Sequence, residues 1–100
     1  MNQQQMMKIR KMQKQVMEAQ AKLEATVFTG TAGGGVVKAE VKGSHEVVKV
    51  HIDKEALEDD IEMVEDMIVS ALNDANTKIE AESQKLLGGF GGFGGGMGLF

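Results

Sequence analysis

At 100 residues the chain has room for one small domain, and the glycine-dominated stretch from Gly88 onward leaves residues 1–87 to form it. It holds no Cys, Trp or Tyr, which excludes disulfides and thiolate metal sites, and its eight Met take over packing that aromatic residues would otherwise supply. The net charge of −4 divides into +3 over residues 1–26, zero over 27–53 and −7 over 54–87, so a basic N-terminal part can meet an anion that the acidic remainder repels.

The first segment predicts a long helix ending near Ala25. Ile9, Val16 and Leu23 recur at heptad spacing, with Met12, Ala19 and Thr26 in the second seam position, and neither Pro nor Gly interrupts before Gly30. No cap is read ahead of this helix, so Met1 to Gln5 are expected to fray. With Ile9 as position a, Arg10, Lys11 and Lys14 occupy b, c and f, opposite the seam, and Lys8 and Lys22 occupy g. These five cations are the candidate DNA-binding residues, because each phosphate they neutralise releases condensed counterions. The competing reading is a solvated face held by Lys14–Glu18 and Glu18–Lys22 pairs, worth a few tenths of a kcal/mol each. No aromatic residue interleaves the cations, which argues against a base-stacking platform for single strands. The seam of Ile9, Met12, Val16 and Leu23 is expected to pack in the core or against a second copy.

Three short antiparallel strands with one buried face follow. Thr26 to Thr29 are β-branched or aromatic and predict the first strand, with Gly30 at its end and Thr31 to Gly35 as a turn. Val37, Ala39 and Val41 alternate with Lys38, Glu40 and Lys42; after a turn at Gly43 to Glu46, Val48, Val50 and Ile52 face inward and Lys49, His51 and Asp53 outward. Asp53 is placed to cap a short turn through Leu57, and Asp59 with Glu62 has capping-box spacing for a last helix. The apolar residues of that helix, Ile61, Val64, Met67, Ile68, Ala71, Leu72, Ala75 and Ile79, form a broad stripe suited to the sheet, and it is expected to run to Leu86 or Leu87. The fold class is therefore α+β, in the order α-β-β-β-α.

Catalytic chemistry finds little support. Gly30 and Gly35 have the separation of a phosphate-binding loop, but Val36-Val37 stands where Lys-Ser/Thr is required, and a strand follows where that mechanism needs a helix. In the tail, Gly89 to Gly94 spells GxGxxG without a strand before it or a helix after it. His45, in a turn, and His51, on an outward face, have no Cys and no triad partner near them, and the Glu58-Asp59-Asp60 cluster lacks the order of a calcium loop. The chain is expected to be no enzyme and to use no cofactor, metal or small-molecule substrate.

The ordered set of segments resembles the YbaB/EbfC family of bacterial nucleoid-associated proteins. It comprises the Gln/Met/Lys-rich helix, Thr29-Gly30, Gly33 to Lys38, the Gly43 turn, Val50 to Asp53, Glu62 to Ile68 and Ala71 to Ala75. The likeness covers residues 6–87 in consistent spacing, and Gly96 to Phe100 is similar to the tail of Gram-positive members. The resemblance implies an α-β-β-β-α protomer in an intertwined, tweezer-like homodimer, with the sheets central and the helices projecting. It also implies sequence-tolerant binding of double-stranded DNA in the bacterial cytoplasm and nucleoid, at times regulating gene expression. It supplies no set of DNA-contacting residues that transfers by motif, so the candidates rest on their own spacing, with Lys38 and Lys42 on the outer strand face as weaker ones. The segment Asn73-Asp74-Ala75 reads as structural.

Residues 1–87 are thus expected to be the DNA-binding domain, and residues 88–100 a disordered Gly/Phe-rich tail. The rival function is a protein-interaction module tied to DNA repair or recombination machinery, docking through the seam or the tail. A membrane-surface helix ranks behind it, since Ile9, Met12 and Val16 make too weak an apolar face, and no membrane partner is expected.

Overall fold

The computed structural model describes residues 2–58 and 60–89, in the order α1 (Gln3–Ala25), β1 (Val27–Ala32), β2 (Val37–Lys42), β3 (Val47–Ile52), α2 (Lys54–Leu57) and α3 (Ile61–Gly89). The expected α-β-β-β-α order is present, with α2 a single turn between the sheet and the last helix. The expectation of an uncapped start is corrected. Asn2 Oδ1 accepts from the Gln5 N–H at 2.8 Å and the Gln5 side chain accepts from the Asn2 N–H, a complete capping box. At the other end the Thr26 hydroxyl donates to the Lys22 carbonyl at 2.7 Å as the chain turns into β1.

The strands form one antiparallel sheet in the order β1-β2-β3. β1 runs on to Ala32, past the stop expected at Thr29, because Gly30 is not a strand end. It is buried, and a Cβ there would lie 2.0 Å from the Ala71 carbonyl oxygen and 2.5 Å from the Ala75 nitrogen. Glycine thus lets α3 cross β1 backbone to backbone. The turn itself is confined to Gly33–Gly35, whose φ values of 62°, 68° and 100° are those that L-residues avoid.

α3 lies over β1 and β2, so the core is one thin layer between helix and sheet: Val37, Ala39 and Val41 below, Ala71, Ala75 and Ile79 above. Phe28, Met67, Ile68 and Leu72 close its sides. Two expectations fail because this helix stops short of the third strand. Val50 and Ile52 are in register with Ala39 and Val37, but a shift in pairing opposite Glu40 and Val41 leaves Val48 without a partner. Val47 and Val48 are each 49 % exposed and Val50 is exposed too, so on the inward side of β3 only Ile52, half-buried against the core, is covered as expected. Ile61, expected in the stripe, sits in the exposed first turn of α3. There the Asp60 carboxylate accepts from the Glu62 N–H at 3.0 Å, while Asp59 lies outside the described residues. Asp53 occupies the cap position of α2 without a side-chain hydrogen bond. α3 includes Gly88 and Gly89, two residues past its expected end, and the expected tail otherwise lies outside the described residues.

α3 also closes the free edge of β1. The Lys78 ammonium donates to the Thr29 carbonyl at 2.6 Å, and the Thr31 N–H donates to Asp74 Oδ2 at 2.9 Å, with Lys78 and Asp74 3.5 Å apart. This agrees with the structural reading of Asn73-Asp74-Ala75: Asp74 bonds the strand and Ala75 packs on Gly30. The Thr31 N–H is the main cause holding the Asp74 carboxyl below the ordinary carboxylate range; Lys78 adds to it, against the opposing effect of desolvation. A carboxyl with a lowered folded-state pKa stabilises the fold when ionised, and that contribution disappears as pH falls through its titration. Asp74→Asn is therefore expected to unfold at lower urea than the parent at about pH 7, with the difference closing on acidification below about pH 4. A difference that stays constant across that range would show that the ionised carboxylate contributes nothing.

Candidate nucleic-acid interface

α1 has no fully buried residue. At 1.5 Å per residue it is about 35 Å long, close to one turn of duplex DNA at roughly 34–36 Å. Lys8, Arg10, Lys11, Lys14 and Lys22 are all exposed on it. At about 100° per residue they cover an arc of about 160°, the side opposite Ile9, Val16 and Leu23. Among the described residues only Lys14 has an ion-pair partner on α1, Glu18 at 4.0 Å, and the Glu18–Lys22 pair is not formed. With both side chains more than half exposed, this contact holds Lys14 only weakly.

The seam divides in two. Leu23 faces Phe28 and Leu86 across a groove of about 320 Å³ that Lys22, Thr26 and Glu82 complete, so this end of α1 rests on the domain. Val16 is half-buried, whereas Ile9 and Met12 remain 42 % and 43 % exposed. With Met6 they form an apolar strip that the protomer does not cover.

The rest of the molecule is arranged in charged layers. Glu55, Glu58, Asp60, Glu62, Glu65, Asp66, Glu80 and Glu82 are exposed along α2 and α3, so that side repels phosphate. A hollow of about 340 Å³ near the start of α3 has an apolar floor of Val36, Val64 and Met67 and a rim of Asp53, Glu55 and Asp60. It suits no anionic ligand, and the described residues contain no group of three side chains able to hold a metal ion. Lys38 and Lys42, the weaker candidates, lie on the outer face of the sheet together with Lys49 and His51. Alternation put these residues on one side of their strands, but only the pairing register shows that they adjoin. His45 adopts a left-handed conformation (φ 72°) in the β2–β3 turn, and its Nδ1 lies 3.0 Å from the Asn76 side-chain oxygen, a structural tie to α3. Tail docking, offered for the interaction-module reading, falls on residues outside those described.

Residues 1–94 match the model of the YbaB/EbfC DNA-binding family. A nucleoid-associated protein of Lachnospira eligens is 55% identical over 83 residues, which is 78% of this chain and 72% of that one. A nucleoid-associated protein of Mycobacteroides abscessus is 45% identical over 93 residues, 88% of this chain and 82% of its own. The crystal structure of an uncharacterized protein from Helicobacter pylori superposes with a TM-score of 0.73 at 30% identity, covering 90% of this chain and 97% of the other.

Proposed function

Because the chain belongs to the YbaB/EbfC DNA-binding family, we propose that it acts in the nucleoid as a homodimer that grips double-stranded DNA through α1, with little preference for sequence. The observation that carries this reading is the arc of Lys8, Arg10, Lys11, Lys14 and Lys22, exposed along a helix about one duplex turn long. Cations of this kind meet phosphates, and phosphate contacts fix position on a duplex without reading its bases. The acidic α2–α3 side turns the same polymer away, so binding has a direction although the whole chain is negative. No catalytic step is assigned to the protein. No helix among the described residues is long and apolar enough to cross a membrane, and we place the protein in the bacterial cytoplasm, where occupancy of promoter DNA would affect gene expression.

The homodimer is supported by what the protomer leaves uncovered. Val47, Val48 and Val50 line the open edge of the sheet, and Met6, Ile9 and Met12 line the free half of the α1 seam. The core, by contrast, is built among the described residues largely of small side chains, Ala39, Ala71 and Ala75 with Val37, Val41 and Ile79. A domain of this size buries too little on its own to leave such surface wet, and a second copy offers it a matching one.

Sedimentation should give a dimer, and anisotropy of a labelled duplex should fall with salt along a log–log slope of roughly −3 to −7, or about four to eight phosphates per dimer. A wild-type protein that binds no duplex at about 50 mM salt would overturn the reading.

A further inference from the structure

The outer face of the sheet carries a second set of cations that α1 does not share. In register across the strands, Thr31, Lys38 and His51 make one row, Thr29, Glu40 and Lys49 the next, and Val27 and Lys42 the third. All of them point away from Val37, Ala39 and Val41, the core side of the same sheet. Thr29, Thr31, Lys38, Lys49 and His51 are exposed, and Glu40 and Lys42 half-buried. Three lysines thus face one carboxylate, and neither ion pair found among the described residues involves any of them. Strand spacing puts Lys38 and Lys49 about 8 Å apart and Lys38 and Lys42 about 14 Å apart, the scale of the duplex grooves at about 6 and 12 Å.

We propose that this face is a second phosphate-binding surface, so that one particle holds two duplex segments, one on the α1 arms and one on the sheet. The proposal rests on the DNA-binding reading of α1 and extends it. Three features favour duplex DNA as the occupant. The uncharged positions in register with Lys38 and Lys49 are the small Thr29 and Thr31, whose hydroxyls can add hydrogen bonds to phosphate oxygens beside the lysines. The face carries no Phe, Tyr or Trp on which an unpaired base could stack. Glu40 is the one acid on this face, and many of the other acids, Glu62, Glu65, Asp66 and Glu80 among them, lie along α3 on the other layer. A face whose lysines served only solubility would need no such separation. α1 reaches the sheet near its C-terminal end, where Leu23 abuts the backbone at Gly43 beside Lys42. If two copies join at β3, the faces merge, with Lys49 and His51 of each nearest the junction.

The test uses the full chain and two duplexes, one fixed to beads and one labelled and free. Wild-type protein is expected to capture the free duplex on the beads. Replacing Lys38, Lys42 and Lys49 by Gln should reduce capture about tenfold or more, while single-duplex affinity, carried by α1, changes by less than about threefold. The triple Lys→Arg variant should keep capture, which separates charge from any effect on folding. Capture undiminished in the Gln variant overturns the proposal. So does wild-type protein that binds a single duplex but captures no second one, or a parallel loss of both readouts, which would make sheet and α1 one footprint. Failure of the wild type to bind even a single duplex would instead remove the α1 reading and this one together.

Discussion

Changing Lys8, Arg10, Lys11 and Lys14 together to Gln is expected to lower affinity for a short duplex at least about a hundredfold at about 50 mM salt and to flatten the salt dependence to the smaller slope that Lys22 and the sheet lysines sustain. Each cation that meets a phosphate adds nearly one unit to the log–log slope, and a dimer presents the set twice. The four side chains are exposed and three of them have no ion-pair partner among the described residues, so the loss cannot be assigned to unfolding. Gln preserves helix propensity at these positions. Only the Lys14–Glu18 contact disappears, worth a few tenths of a kcal/mol. Circular dichroism should therefore be unchanged. A variant that keeps the parental slope would move the phosphate contacts elsewhere, with the sheet face the next candidate.

Gly30→Ala should be one of the most damaging single methyl groups among the described residues. The new Cβ would lie within 3 Å of the Ala71 carbonyl oxygen, the Ala75 nitrogen and the Ala75 Cβ, and the nearest two are backbone atoms of a helix that cannot rotate out of the way. Helix and strand must separate, which opens the thin layer made by Val37, Ala39, Ala71 and Ala75. A cost of about 3 kcal/mol or more is expected, against a total stability of order 5–15 kcal/mol for natural domains. It would appear as a large fall in the urea midpoint and a loss of soluble protein on warming. Gly34→Ala is the control, since nothing lies within 4 Å of a Cβ there and only the left-handed backbone resists it. A midpoint for Gly30→Ala no lower than that control would mean that helix and strand are not in backbone contact in solution.

The order of elements, the bounds of β2 and the basic arc of α1 were legible because each rests on periodicity within one segment. The α1 candidates need only a helix for Lys8 to Lys22 to share a side. In sequence, a glycine that ends a strand and one that admits a crossing helix look alike, so the role of Gly30 emerges only once the helix is in place. The valines of β3 alternate as buried residues do, yet alternation tells which side a residue faces and not whether another layer covers that side. The gathering of Lys38, Lys42, Lys49 and His51 depends on register, and the irregularity opposite Val41 shifts that register by one residue. Asn2 and Gln5 have the residue types and offset of a capping box, a signal that the polar Gln run around them masks in sequence.

The bonds from Lys78 and Asp74 to β1 also set how far the protein can grow. A sheet with two open edges invites unlimited addition of copies and ends as a fibre. Here one edge is already occupied by side chains of the same molecule, and only the β3 edge can accept a strand. Two copies that meet there, edge to like edge, use up the sole point of extension on each. In a homodimer joined at that edge, the lysine that fastens a helix to a strand would thereby hold the particle to two subunits. Losing it would threaten solubility at high concentration before it threatened the fold.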